Sequence, residues 1–166
     1  HLSRRRQRQM CIRDRILGVP MKLKSTLILK GRVKLTAWKD DKIVAVKEVE
    51  NLIVDAGKEY VARMLVYETG DTPGLTYCAL GTGTSSPASG DTKLEAEVVR
   101  KTMTKKTREN KEITLSTFFT KDESKYHIQE VGIFGHDASN TPNSGILFCR
   151  ALLDYDNSGG DVDLTI

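Results

Sequence analysis

Between residues 23 and 38, Leu27, Leu29, Val33 and Leu35 alternate with lysine, arginine and other polar residues. A period of two marks a strand with one buried face. Asp40-Asp41 is a turn signal, and Ile43-Val44-Ala45-Val46 restores the β character, so a first hairpin is predicted. The period then changes. Leu52, Ile53, Ala56, Tyr60, Val61, Met64 and Leu65 recur at spacings of three and four, one face of an amphipathic helix. Asn51 stands at its mouth as an N-cap or turn residue, and Asp55 and Glu59 lie in the half where the helix dipole favours acids. Gly57 weakens such a helix by up to about 1 kcal/mol relative to alanine, and glycine in this setting lets another backbone come close. The helix is predicted to end before Gly70, with Asp71-Thr72-Pro73-Gly74 as a turn.

Residues 75–80 predict a strand, 81–90 a loop rich in Gly, Ser, Thr and Pro, and 91–95 a turn or single helical turn. A long β-stretch runs from Val98 to about Lys106. Glu109-Asn110-Lys111 breaks it, and residues 113–120 return as the second arm of a hairpin. Residues 126–134 form a strand, 135–145 a loop, 146–153 a strand, 154–161 a turn, and 162–166 a last strand. One helix and seven or eight strands predict a mainly β fold: an antiparallel β-sandwich-like domain with one amphipathic helix packed on it.

Composition bounds the class. With 39% hydrophobic and 29% charged residues the chain is globular. Its apolar runs, such as Ile146-Leu147-Phe148-Cys149, fall far short of the roughly 20 residues of a membrane span, so no membrane partner is expected. The net charge of +4 is local. Residues 1–20 hold six of the 26 basic residues (Arg4, Arg5, Arg6, Arg8, Arg13, Arg15) and one of the 22 acidic ones (Asp14), leaving the remainder at −1. That remainder has no excess positive charge for phosphate, and no nucleic-acid partner is expected. The first segment has no apolar periodicity, and Ile16-Leu17-Gly18-Val19 is too short for a signal-peptide core. Its run Met10-Cys11-Ile12-Arg13-Asp14-Arg15 resembles the translation of a transposase adapter used in shotgun sequencing. Residues 1–20 are therefore expected to be a non-native scar, with a basic nucleic-acid-binding arm as the alternative and Met21 as the start of a single domain, 21–166. The final β-pattern stops at Ile166 without a polar tail, which suggests a C-terminally truncated gene fragment.

Candidate chemistry is thin. Cys78 and Cys149 sit in apolar strand-like runs without metal-ligand or disulfide spacing, as small buried hydrophobes do. Gly81-Thr82-Gly83-Thr84-Ser85-Ser86 follows a strand as phosphate loops do, but lacks Gly-Lys-Ser/Thr, the third glycine and the helix that follows, so a solvent-exposed β-loop is expected. Asp154-Tyr155-Asp156-Asn157-Ser158-Gly159 matches the first half of a calcium loop, yet Thr165 stands where a bidentate glutamate belongs; a polar turn is the favoured reading. His127 and His136 are not spaced for a helical face, and no Gly-x-Ser-x-Gly accompanies them. Glu95, Glu97 and Glu130 are not paired for acid–base work. Glu130 precedes an apolar run, and once buried it needs a base such as Arg100 or another. No catalytic residue, cofactor or metal ligand is assigned, and the chain is expected not to be an enzyme.

Four stretches line up in order: Asn51-Leu52-Ile53-Val54-Asp55-Ala56-Gly57-Lys58-Glu59, Tyr77-Cys78-Ala79-Leu80-Gly81-Thr82-Gly83-Thr84, Asp91-Thr92-Lys93-Leu94-Glu95-Ala96-Glu97-Val98-Val99-Arg100, and Glu130-Val131-Gly132-Ile133-Phe134. This order resembles phage tail-collar and tail-fibre structural proteins over residues 51–166. The resemblance implies a virion component without cofactor or catalytic residues, a homo-oligomer whose partners are other tail proteins. A carbohydrate- or receptor-binding β-sandwich module is the alternative. Such a module should carry exposed aromatics on one face, whereas only 6% of residues are aromatic and most of them (Phe118, Phe119, Phe134, Phe148) are expected in strand cores, which favours the tail reading. The loops 81–90 and 135–145 are candidate contact surfaces, since loops on rigid scaffolds carry recognition.

Overall fold

The structure, a computed structural model, describes residues 27–66 and 74–166. The adapter-like segment, Met21 and the turn expected at residues 71–73 lie outside the described residues. The chain is mainly β, 52% strand, with one short helix among the described residues. In chain order the elements are β1 (Gly31–Lys39), β2 (Lys42–Ile53), α1 (Asp55–Val66), β3 (Leu75–Gly81), β4 (Glu97–Thr102), β5 (Lys105–Glu109), β6 (Glu112–Ser116), β7 (Phe118–Phe119), β8 (His127–Gly135), β9 (Ile146–Asp156) and β10 (Asp163–Thr165).

Eight strands make one antiparallel sheet in the order β4-β3-β8-β9-β2-β1-β10-β7, and β5 with β6 forms a separate hairpin. The sheet is nearly closed into a barrel. Its two halves, β4-β3-β8-β9 and β2-β1-β10-β7, join where β2 pairs with β9 only at Leu52↔Arg150 and Ile53↔Cys149. At the other seam the edge strands meet beyond β4: the Thr104 amide donates to the Ser116 carbonyl at 2.7 Å, and the Phe118 amide to Thr104 Oγ1 at 3.0 Å. Lys101 reaches across to Glu123 at 2.7 Å. Near-closure leaves little unpaired edge, the usual liability of a sheet.

The interior is filled from both halves. Val33, Leu35 and Ala37 of β1, Cys78 and Leu80 of β3, Phe119, Ile128, Val131, Ala151, Leu153 and Leu164 form one buried cluster. A second cluster takes Ala79 and Phe134 with Val54, Leu94 and Leu147. Cys78 and Ala79, being neighbours on a strand, belong to different clusters because successive side chains point to opposite faces. Both cysteines are free and buried, as expected. Burial pushes the Cys149 thiol up to about 12 and raises that of Cys78 as well.

The first hairpin is present, with a two-residue turn in which Asp40 (φ 49°) and Asp41 (φ 60°) are both left-handed. Five boundaries differ from the sequence expectation. β1 starts at Gly31, so Leu27 and Leu29, read as part of its buried row, precede it, and Leu27 is 65% exposed. The helix starts at Asp55 rather than Leu52, because Leu52 and Ile53 complete β2 and pair with β9. Apolar strand residues at the helix mouth, Leu52 half-buried and Ile53 buried, satisfy the helical spacing by coincidence. The single β-stretch expected over 98–106 is interrupted at Met103-Thr104, where the chain leaves the barrel wall for the β5–β6 hairpin. The stretch 113–120 divides at the buried Thr117, which exchanges two backbone hydrogen bonds with Ile166. Finally, β9 runs on to Asp156, and ten strands are formed among the described residues instead of seven or eight.

Candidate functional site

Arg150 interrupts the apolar run of β9, and Glu130 stands beside it on β8. Both side chains are almost wholly buried, at 2% and 0% exposure. Arg150 Nε donates to Glu130 Oε2 at 2.8 Å. The Glu95 amide donates to the same oxygen at 3.1 Å, while the amides of Gly83 and Ala96 donate to Oε1 at 3.2 and 2.7 Å. Two carboxylate oxygens offer about four acceptor sites, and these four donors occupy them. Arg150 uses its other nitrogens on Asp91 Oδ2 at 2.8 Å and on the carbonyl and hydroxyl of Ser85 at 3.0 and 3.1 Å. Burial opposes the charge on Arg150, but Asp91 and Glu130 outweigh it and raise its pKa. Burial likewise pushes the Asp91 carboxyl up, and the Ala88 amide and Arg150 more than offset this, holding it below the usual value.

The glycines of the Gly81-Thr82-Gly83 run are explained by this carboxylate. A Cβ on either would come within 2.5 Å of Glu130 Oε1. This corrects the expectation of a solvent-exposed loop: Gly81 and Gly83 are buried, packed on the protein's own glutamate, and the loop is exposed only from Thr84 on. Gly132 makes room in the same way for Leu94, whose Cδ2 would lie 2.9 Å from an added Cβ. Gly57 packs directly on the Phe148 backbone, the close approach anticipated from the sequence.

Arg100, the base named as a partner for Glu130, is committed elsewhere. It pairs with Glu97 at 2.5 and 2.8 Å, both side chains buried, and its guanidinium lies 4.5 Å from the centre of the Phe134 ring. It also donates to the carbonyls of Ser139 and Ser144, while Glu97 Oε2 accepts from the Asn143 amide at 2.9 Å. The two candidate contact loops are thus each fastened from below: 81–90 by Arg150 and 135–145 by Arg100. A charged residue inside an apolar strand was the available signal for Arg150. No such signal existed for Glu97 and Arg100, since residues three apart on a regular strand face opposite ways; a register shift opposite Leu80 and Gly81 brings them together.

The remaining candidates are dispersed. His127 lies 2.9 Å from Asp154, and His136 lies near Asp137 at the far end of β8, roughly 30 Å of strand away. Glu95 accepts from the Ser85 amide at 2.8 Å, which holds its carboxyl below the usual value. The calcium-like turn is wound around Asn157, whose amide donates inward to Ser124 and Val162, while Asp156 caps the Ser158 amide. Asp154 instead accepts from His127 and takes Lys47 on its carbonyl. Among the described residues no group of three or more His, Cys, Asp or Glu side chains is placed to hold a metal ion. Phe119 and Phe134 are in the core as expected, but Phe118 is 38% exposed and Phe148 only half-buried, which corrects the expectation for these two.

Val54, Ala79, Leu94 and Phe134, one residue from each of the four ordered stretches, meet in a single buried cluster. Around it the same stretches interlock through Gly81, Gly83, Glu95, Ala96 and Glu130, and the Asp55 amide ties the start of α1 to the Ser89 carbonyl at 2.8 Å. Comparison with known protein families, with curated proteins and with solved structures gives no match.

Proposed function

We propose that this chain is a structural module of a phage tail, acting in tail, tail-fibre or collar assembly through its surfaces and without catalysis. The supporting observation is the convergence of the four ordered stretches on one buried cluster and one saturated ion-pair network. A carboxylate whose acceptor sites are filled by amides and a guanidinium has no free site for a substrate proton. The residues that carry the resemblance are therefore put to stiffening a scaffold, which is what an assembly part requires. Other tail proteins and further copies of the chain are the proposed partners, and the virion the proposed location.

Size-exclusion chromatography with light scattering, run beside a glycan-binding screen, tests this reading. Association into a discrete homo-oligomer without glycan binding is expected. A strictly monomeric chain that binds glycans would replace it with the carbohydrate- or receptor-binding alternative.

A further inference from the structure

The β5–β6 hairpin is a two-stranded sheet of its own, and such a pair by itself is marginal in water. Its second strand is paired on one side only. Ser116 accepts from the Thr104 amide at the foot of β5, so Ser116, and with it Thr114 and Glu112, turn their main chains toward β5. Ile113 and Leu115 therefore turn theirs the other way, to the side on which Thr117 exchanges hydrogen bonds with Ile166. No strand pairs with β6 on that side among the described residues. The free edge of β5 carries Lys105, Lys106, Arg108 and Glu109, the charges by which an edge is kept from pairing, whereas β6 holds one charge, Glu112.

Beside the β6 edge lies apolar surface. Ile113 and Leu115 share the hairpin face that looks onto α1, and with Val61, Met64 and Leu75 they line a groove of about 360 Å³. Ile113 is nevertheless 68% exposed. On the hairpin's other face Glu109 and Glu112 stand directly opposite one another, a like-charge pair that costs stability, and no cation pairs with either among the described residues. A strand added to β6 thus meets an apolar face at Ile113 and Leu115 and an acidic position at Glu112.

The segment just before β1 has that pattern. Leu27-Ile28-Leu29-Lys30 carries a strand's alternation yet belongs to no strand. Leu27 is 65% and Ile28 73% exposed, Leu29 is half-buried and Lys30 is exposed. Laid antiparallel on β6, Leu29 falls opposite Ile113, Leu27 opposite Leu115 and Lys30 opposite Glu112. Both leucines then point into the groove, Ile28 sits against Thr114, and the unpaired acid gains a cation. Within one molecule the segment runs without a turn into β1, which pairs with β2 and β10 and not with the hairpin. The added strand therefore comes from a second copy.

We propose that residues 27–30 of one copy add as a third strand to the β5–β6 hairpin of the next. Main-chain hydrogen bonds to Ile113 and Leu115 supply affinity, while the groove and Glu112 fix the register. The contact joins two different parts of the molecule, so it is heterologous and propagates head to tail. It rests on the assembly reading above and names the contact that reading requires.

Sedimentation velocity on the whole chain tests it. Wild type should associate as its concentration rises. Leu27→Asp puts a charge into the apolar groove, and Ile113→Pro removes an N–H that faces the added strand rather than β5. Each should weaken association about tenfold or more. Lys30→Glu and Glu112→Lys should each weaken it about two- to fivefold, and mixing the two should restore it, since contacts between them join opposite charges. A synthetic peptide of residues 21–30, added in excess, should dissociate the wild-type assembly by occupying the edge. If wild type associates and Leu27→Asp and Ile113→Pro associate equally well, the contact is wrong while the assembly reading stands. A peptide without effect, or charge variants that do not recover on mixing, also overturns it. A wild type that remains monomeric overturns both. Should Ile113→Pro lose the fold by circular dichroism, Leu27→Asp, which lies outside every strand, decides in its place.

Discussion

Glu130 ties three separate segments of the chain to one buried carboxylate. It lies at zero exposure with its charge shared among Arg150 and three amides drawn from two separate segments. Removing one member of a buried pair leaves the other charged and desolvated, which costs about 3–5 kcal/mol. Glu130→Gln is expected to lower stability by that amount in urea or guanidinium denaturation. A loss under about 1 kcal/mol would mean that water reaches the pair. At this scale the sequence was half legible. A glutamate before an apolar run has to find a base once it is buried, but which base is decided by register, and β8 pairs with β9 so that Glu130 and Arg150 are diagonal neighbours (Glu130↔Leu152, Gly132↔Arg150). Arg100 lies on β4, separated from β8 by β3.

Elements were legible where pattern and burial agree. The alternation of Val33 and Leu35 in β1, though not of Leu27 and Leu29 before it, the turn at Asp40-Asp41 and the strands β3, β8 and β9 follow from apolar period and turn chemistry, which local sequence carries. Boundaries failed where tertiary pairing decides, as at Leu52 and Ile53, because an apolar residue satisfies either period. The glycine of α1 is the clearest case of an element positioned by one residue. An added Cβ at Gly57 would collide with the Phe148 backbone, which, being part of β9, cannot swing aside like a side chain. Gly57→Ala would raise intrinsic helix propensity by about 1 kcal/mol, yet overpacking costs of about 1–3 kcal/mol or more oppose it. Net destabilisation is expected in thermal melts. A variant more stable than wild type would show that α1 does not rest on β9.

For the molecule as a whole, the barrel's two seams differ. One is closed by the hydrogen bonds around Thr104 and the other has its ladder pairs only at Leu52 and Ile53, with Lys47 reaching Asp154 further along, and neither is visible in the sequence because each depends on strands far apart in the chain. The same holds for the cluster of Val54, Ala79, Leu94, Leu147 and Phe134. The four stretches could be recognised in order, but not that they meet, since Gly81 and Gly83 read equally well as an open loop. The structural reading of this chain depends on that meeting being rigid. Hydrogen exchange at the amides of Gly83, Glu95 and Ala96 measures it most directly. Because all three donate to the buried Glu130 carboxylate, they should exchange only with global unfolding, as slowly as the amides of β8. Exchange at the rate of an exposed loop, while β8 stays protected, would contradict the account.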